Sequence, residues 1–261
     1  MTTVIVPVDF SQTSLNAVEY AANFLTGHYG ASLVLYHSYG KESEQAEKEQ
    51  QLNDLMQKLS ASHTVKMEVL LHNEDDFVEG LEKAARHRRA DLIIMGITGK
   101  SAIKQVLFGS NTLKMAETKA CPVLIIPEQA KFTSIKNVML TSDFKDTRNS
   151  TPSAPIKDFL SVSRPQLHVV NVDKDHYVSI TEAYENEKQE LRKLLEEYNP
   201  EFYFMRLFEL EEAINLFAKD KEIDLIIVVQ KNHSFMDRLF KPSQTKKLSF
   251  HSELPILVIH E

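Results

Sequence analysis

The chain repeats itself at a spacing of 133 residues, and this repeat limits the fold more than any single motif does. Asp91-Leu92-Ile93-Ile94 falls on Asp224-Leu225-Ile226-Ile227, and Pro122-Val123-Leu124-Ile125-Ile126 falls on Pro255-Ile256-Leu257-Val258-Ile259. Between these anchors Ser110, Thr112 and Lys114 fall on Ser243, Thr245 and Lys247 without a gap. Near the amino terminus a spacing of 134 sets Asp9-Phe10 on Asp143-Phe144. Unrelated segments that merely shared apolar strands would not keep their polar residues in step. The pattern reads as an internal duplication, with domains at 1–130 and 135–261 joined by a short polar linker at Ala130–Ser134.

Within each copy, short β-branched apolar runs alternate with longer amphipathic stretches. In the first copy, strands are expected at Val4–Val8, Ser32–His37, Val65–Leu71, Leu92–Met95 and Val123–Ile126. Ser11 reads as the N-cap of a helix carrying Leu15, Val18, Ala22 and Leu25. Further helices are expected over 41–60, 74–89 and about 110–119. In the second copy, strands are expected at Val138–Ser142, Leu167–Val172, Phe202–Phe208, Leu225–Val229 and Ile256–Ile259, with helices over 181–198 and 211–219. Alternating strands and helices imply an α/β fold: two tandem domains, each a five-stranded, mostly parallel sheet with helices on both faces, Rossmann-like in layout.

Charge and cysteine content narrow the function. A net charge of −7 argues against a nucleic-acid or membrane-surface binder, since both need a basic face. No apolar run approaches the roughly 20 residues that cross a bilayer. The single cysteine, Cys121, leaves no intrachain disulfide and no CxxC zinc spacing. Met1 to Thr3 lead straight into a strand pattern with no leader-like segment. A cytoplasmic protein is the expectation.

The stretch MGITGKSAIKQVLFGSNT carries the chemistry. Three of the chain's 7 glycines, Gly96, Gly99 and Gly109, lie there between a buried strand and a helix start. A phosphate resting on the backbone needs residues without Cβ and free amide donors, and a helix N-terminus supplies such donors. Lys100 is the flexible cation of this loop, although a solvated lysine fits it better than a phosphate ligand does. Gly99-Lys100-Ser101 looks like the end of a Walker A loop, but the earlier glycine would fall on Ile94 inside a strand. No G-x-G-x-x-G follows the first strand, no G-x-S-x-G is present, and the ten histidines show no paired ligand spacing.

The spacing Gly-x2-Gly-x9-Gly-Ser, together with the opening VIVPVDFSQTS, the second strand LVLYHS and the close ADLIIMG…CPVLIIP, resembles the ATP-binding universal stress proteins. The resemblance covers the chain as two family domains. It implies that Pro7, Val8 and Asp9 line an adenine and ribose pocket, with Ser38 beside the base. It implies that Met95 and Gly96 begin the loop around the sugar and phosphates. Gly99, Gly109, Ser110 and Asn111 would hold the phosphates. ATP is the implied ligand, with ADP and AMP open, and Mg²⁺ would accompany the triphosphate. Asp9 also has a structural reading, because Asp143 persists in the copy that lacks the glycines.

Where the first copy has Gly96, Gly99 and Gly109, the second has Val229, Asn232 and Pro242. Phe235, Met236, Leu239 and Phe240 make its loop more apolar. One nucleotide per chain is therefore expected, in the first domain. The resemblance further implies an intrachain pseudo-dimer through the closing strands, and leaves a homodimer open. A nucleotide-dependent stress regulator is the expectation; a slow ATPase or phosphoryl-transfer enzyme and a nucleotide-free scaffold are the alternatives.

Overall fold

The computed structural model describes residues 1–97, 110–171, 181–204, 210–230 and 254–261. The chain divides into two compact units, Met1–Thr133 and Ser134–Glu261.

In the first unit, β1 (Thr3–Pro7) leads through Ser11 into α1 (Gln12–Leu25). The Ser11 hydroxyl accepts from the Ser14 N–H at 3.2 Å, the N-cap bond its position predicts. Gly27 and Gly30 then reverse the chain at φ +86° and +91°, conformations that only glycine adopts without strain. Next come β2 (Ser32–Tyr39), α2 (Gln45–Ser60), β3 (Lys66–Asn73), α3 (Phe77–Arg88) and β4 (Leu92–Ile97). The unit closes with α4 (Ser110–Glu117) and β5 (Val123–Pro127). A single 3-10 turn, Glu42–Glu44, precedes α2, so the regular helix starts later than its polar stretch suggests.

All pairings in this unit are parallel, in the order β3-β2-β1-β4-β5. The central strands are buried on both faces: Val4, Ile5 and Val6 of β1 and Leu92, Ile93 and Ile94 of β4 are all 0% exposed. That explains their unbroken apolar runs, each fully buried aliphatic side chain contributing about 1.5–3 kcal/mol.

The second unit runs β6 (Asn137–Ser142), α5 (Thr147–Ser150), α6 (Ser153–Leu160), β7 (Gln166–Asn171), α7 (Glu182–Leu194), β8 (Glu201–Phe204), α8 (Leu210–Asp220), β9 (Leu225–Gln230) and β10 (Ile256–His260). Its strands are also all parallel, in the order β10-β9-β6-β7-β8. The helical segments α5 and α6 are not evident from apolar periodicity. Pro152 lacks an N–H and separates two short helices where the first unit has one of 14 residues.

Asp91 and Asp224 play the same part in the two units. The Asp91 carboxylate accepts from the Thr2 and Thr3 N–H groups, and that of Asp224 accepts from the Lys136 and Asn137 N–H groups. Each carboxylate clamps the start of its unit's first strand to the strand that follows the third helix position. The repeat anchor read from the sequence is thus a structural latch.

The segment after β5 is also tied down. Asn16 of α1 donates from Nδ2 to the carbonyl of Ala130 at 2.9 Å, and Lys131 Nζ lies 2.5 Å from its Oδ1. Phe132 packs edge-on to Tyr20 and Phe24. The polar linker therefore begins as a strap across α1.

Candidate functional site

In the first unit the strand order reverses direction between β1 and β4, which makes their carboxyl ends a switch point. The two strands pair only at Val4↔Leu92 and Ile5↔Ile93, although β1 runs on to Pro7 and β4 to Ile97. Beyond those pairs the strand ends are not laddered together, which is where open α/β sheets form a ligand crevice. Pro7, Val8 and Asp9 lie at the β1 end, and Met95 and Gly96 at the β4 end.

The side chains of Pro7, Val8 and Met95 are buried. The Val8 N–H donates to the Tyr36 carbonyl at 2.7 Å. His37 Nδ1 lies 2.6 Å from the Val8 carbonyl oxygen. A carbonyl only accepts, so Nδ1 carries the hydrogen. The His37 ring also lies 5.5 Å from that of Phe10, and Lys48 Nζ sits 5.3 Å over Phe10.

Asp9 is exposed and shapes the turn into α1. Its Oδ1 accepts from the Ser11 N–H at 2.9 Å, and its own N–H donates to the Ser14 hydroxyl at 3.3 Å. Partial burial opposes ionisation of the carboxyl, but the bonds from Ser11 and Ser14 outweigh it and hold the pKa below its ordinary value. Phe10 takes φ +63° in this turn. The second unit repeats the device: Asp143 Oδ1 accepts from the Lys145 N–H at 3.1 Å, and Phe144 takes φ +50°. The structural reading of Asp9 is thus visible in both units.

Ser38 lies near the end of β2, opposite His72 of β3. Its hydroxyl donates to the Glu74 carbonyl at 3.1 Å, which ties β2 to the turn before α3. Beneath it, Tyr36 is fully buried, and among the described residues its hydroxyl has no hydrogen-bond partner. Burial pushes the phenol up to about 12; the Ser38 hydroxyl works against that shift and the Glu74 charge adds to it.

Gly96 is held from two sides. A Cβ built there would lie 2.5 Å from the Thr13 carbonyl oxygen in the first turn of α1. On the other side, the Gly96 carbonyl accepts from the Thr112 hydroxyl at 3.0 Å. Thr112 is 4% exposed, so this bond pins the first turn of α4 to the end of β4. Sequence reasoning missed Thr112, although its agreement with Thr245 in the repeat was a signal. Ser110 opens α4. Asn111 is exposed and lines a cleft of about 460 Å³ with Lys114 and the start of α3, where Asp75, Asp76 and Glu79 make an acidic wall. Gly99 and Gly109, with Lys100, lie outside the described residues, as do Asn232, Phe235, Met236, Leu239, Phe240 and Pro242 of the second unit.

The model of the universal stress protein family matches residues 1–127. The first unit is thus a universal stress protein domain. A universal stress protein of Methanocaldococcus jannaschii is 38% identical over 69 residues, which is 26% of this chain and 37% of that protein. The chain thus spans little more than a third of that relative's length. A universal stress protein structure from Archaeoglobus fulgidus covers 99% of this chain and 98% of its own, with a TM-score of 0.68 at 18% identity. A protein of unknown function from Pseudomonas aeruginosa covers 100% of this chain and 92% of its own, with a TM-score of 0.63 at 14% identity. At such identities these two structures speak for the fold alone. Among the described residues, no helix is long and apolar enough to cross a membrane.

Proposed function

We propose that the first unit binds ATP or a related adenine nucleotide in the crevice between β1 and β4, and that occupancy serves a regulatory role. The observation that carries this reading is the parting of β1 from β4 at the switch point, with Gly96 on its rim and the amino end of α4 tied to that rim by Thr112. A helix start offers unpaired N–H groups and the positive end of its dipole, which suits a phosphate. The glycine loop joining these two fixed points supports the same reading. The buried side chains of Pro7, Val8 and Met95 fit a ligand held by main-chain groups. The acidic wall of the α3–α4 cleft suits the sugar side of a ligand better than its phosphates. Mg²⁺ would accompany a triphosphate.

Mass spectrometry of the ligand released from purified protein tests the reading directly. Calorimetric titration of the intact chain should give one site. Gly99→Val or Gly109→Val should abolish that heat while circular dichroism stays unchanged. Parent-like binding by both variants removes the loop from the site. Asp9→Asn alters at most one polar contact and should weaken binding less, by about 0.5–3 kcal/mol.

A further inference from the structure

Peptide groups of a strand point alternately to its two neighbours. In β1 the Val8 N–H goes to Tyr36 of β2, whereas the Thr3 carbonyl accepts from the Asp91 N–H on the β4 side. Alternation therefore turns Thr3, Ile5 and Pro7 toward β4. In β4 the Ile93 N–H goes to the Pro122 carbonyl on the β5 side. The same alternation turns the peptide groups of Ile94 and Gly96 toward β1. The register Ile5↔Ile93, carried two residues further, would set Pro7 opposite Met95. There the N–H of residue 7 would meet the Ile94 carbonyl, and the Gly96 N–H would meet the carbonyl of residue 7. Proline has no N–H to offer, and pairing ends at Ile5↔Ile93, two residues before it.

The second unit supplies the control. At the spacing of 134, Thr141 stands where Pro7 does. Pairing of β6 with β9 continues through Leu140↔Ile227 and Thr141↔Val228. The Thr141 hydroxyl adds a buried bond to the Ile227 carbonyl at 3.3 Å. The strands remain joined where those of the first unit part.

We infer that Pro7 is the positioning residue that keeps the first switch point open, and that Thr141 closes the second. In that open state the Gly96 N–H would be left as a donor for a ligand, while the Gly96 carbonyl is occupied by Thr112. The opening itself follows from strand pairing; only the identity of the ligand rests on the nucleotide reading above. One site per chain then has a cause within the strands, separate from the glycine loop.

The test is a reciprocal exchange in the full chain. Pro7→Thr, Pro7→Ala and Thr141→Pro are compared with the parent by amide hydrogen exchange without nucleotide, and by ATP titration. In the parent, the Gly96 amide should exchange at least about tenfold faster than that of Val229, after correction for intrinsic rates. Pro7→Thr and Pro7→Ala should slow Gly96 exchange toward the Val229 level and weaken ATP binding about tenfold or more. Thr141→Pro should speed exchange at Val229. Unchanged Gly96 exchange in both Pro7 variants overturns the inference, whatever the titration gives. A parent that binds no ATP overturns the nucleotide reading, and the exchange data still judge Pro7. Thr141→Val, which keeps the ladder and loses only the hydroxyl bond, should leave Val229 nearly as protected as before.

Discussion

Gly96 and Val229 hold equivalent places near the ends of β4 and β9, yet their surroundings differ. Over the first lies an unbroken 14-residue helix whose Thr13 carbonyl would stand 2.5 Å from any Cβ on residue 96. In the second unit the corresponding segment is split into α5 and α6 around Pro152. A glycine that reads as a phosphate-loop residue is therefore also the seat of a helix. Its replacement by valine in the other unit accompanies a change in the element above as well as loss of a ligand motif. The same contrast holds at Pro7 and Thr141, where one residue type parts two strands and the other joins them.

The largest effect should come from placing the second unit's residue in the first. Gly96→Val should cost about 1–3 kcal/mol or more in chemical denaturation, because the clash is with backbone and cannot be relieved by a side-chain rotation. Val229→Ala, at a half-buried site, should cost about 1 kcal/mol or less. Equal losses would break the comparison. The two aspartate latches are the converse case, in which the units should agree. Asp91→Ala and Asp224→Ala each strand a pair of N–H groups and should each cost about 1–3 kcal/mol. A large disparity would mean that the two first strands are anchored differently.

A third contrast depends on pH. His168 of β7 is 5% exposed and stands where the first unit has Val34. Its Nε2 is 3.4 Å from Asn137 Oδ1, and its Nδ1 is 3.6 Å from Glu201 Oε2, with Tyr203, Phe217 and Lys221 around it. Burial drives the pKa below the ordinary 6.5; Glu201 opposes the shift and Lys221 adds to it. The folded state thus binds the proton less readily than the unfolded state does. Stability from this group is complete above about pH 6.5 and is lost as the pH falls through the folded-state value. Urea titrations from pH 7.5 to 5 should show an acid-side loss in the second unit that His168→Val removes. The smallest effect concerns Thr112. Thr112→Val should cost about 0.5–1.5 kcal/mol by removing the bond to the Gly96 carbonyl, and Thr112→Ser should restore most of it. A serine variant as weak as the valine would point to the methyl group instead.

Much of the architecture was legible in the residues. Runs such as Val4–Val6 and Leu92–Ile94 are buried on both faces and so must be apolar throughout, which marks central parallel strands. The Ser11 cap was readable because capping is local. The α5–α6 segment was not, because prolines and polar residues break its apolar period. Of the site, the glycine spacing and the Asp9 turn stood out in the sequence. Thr112 did not, because a threonine one turn into a helix has no local signature of the carbonyl it will reach.

The sequence by itself determined the strands, their order and the helices other than α5 and α6, because these depend on residue periodicity, and matches at a fixed spacing pointed to the duplication. It did not determine which strand ends part. Pro7 lacks an N–H wherever it lies, but the consequence depends on whether that edge faces β2 or β4. The facing edge is set by strand register, and register is fixed only when the sheet assembles and all five strands bury their apolar faces together. The same holds for Gly96. The missing Cβ is written in the sequence, while the helix that occupies its space, and the threonine that holds its carbonyl, are brought there by the tertiary fold.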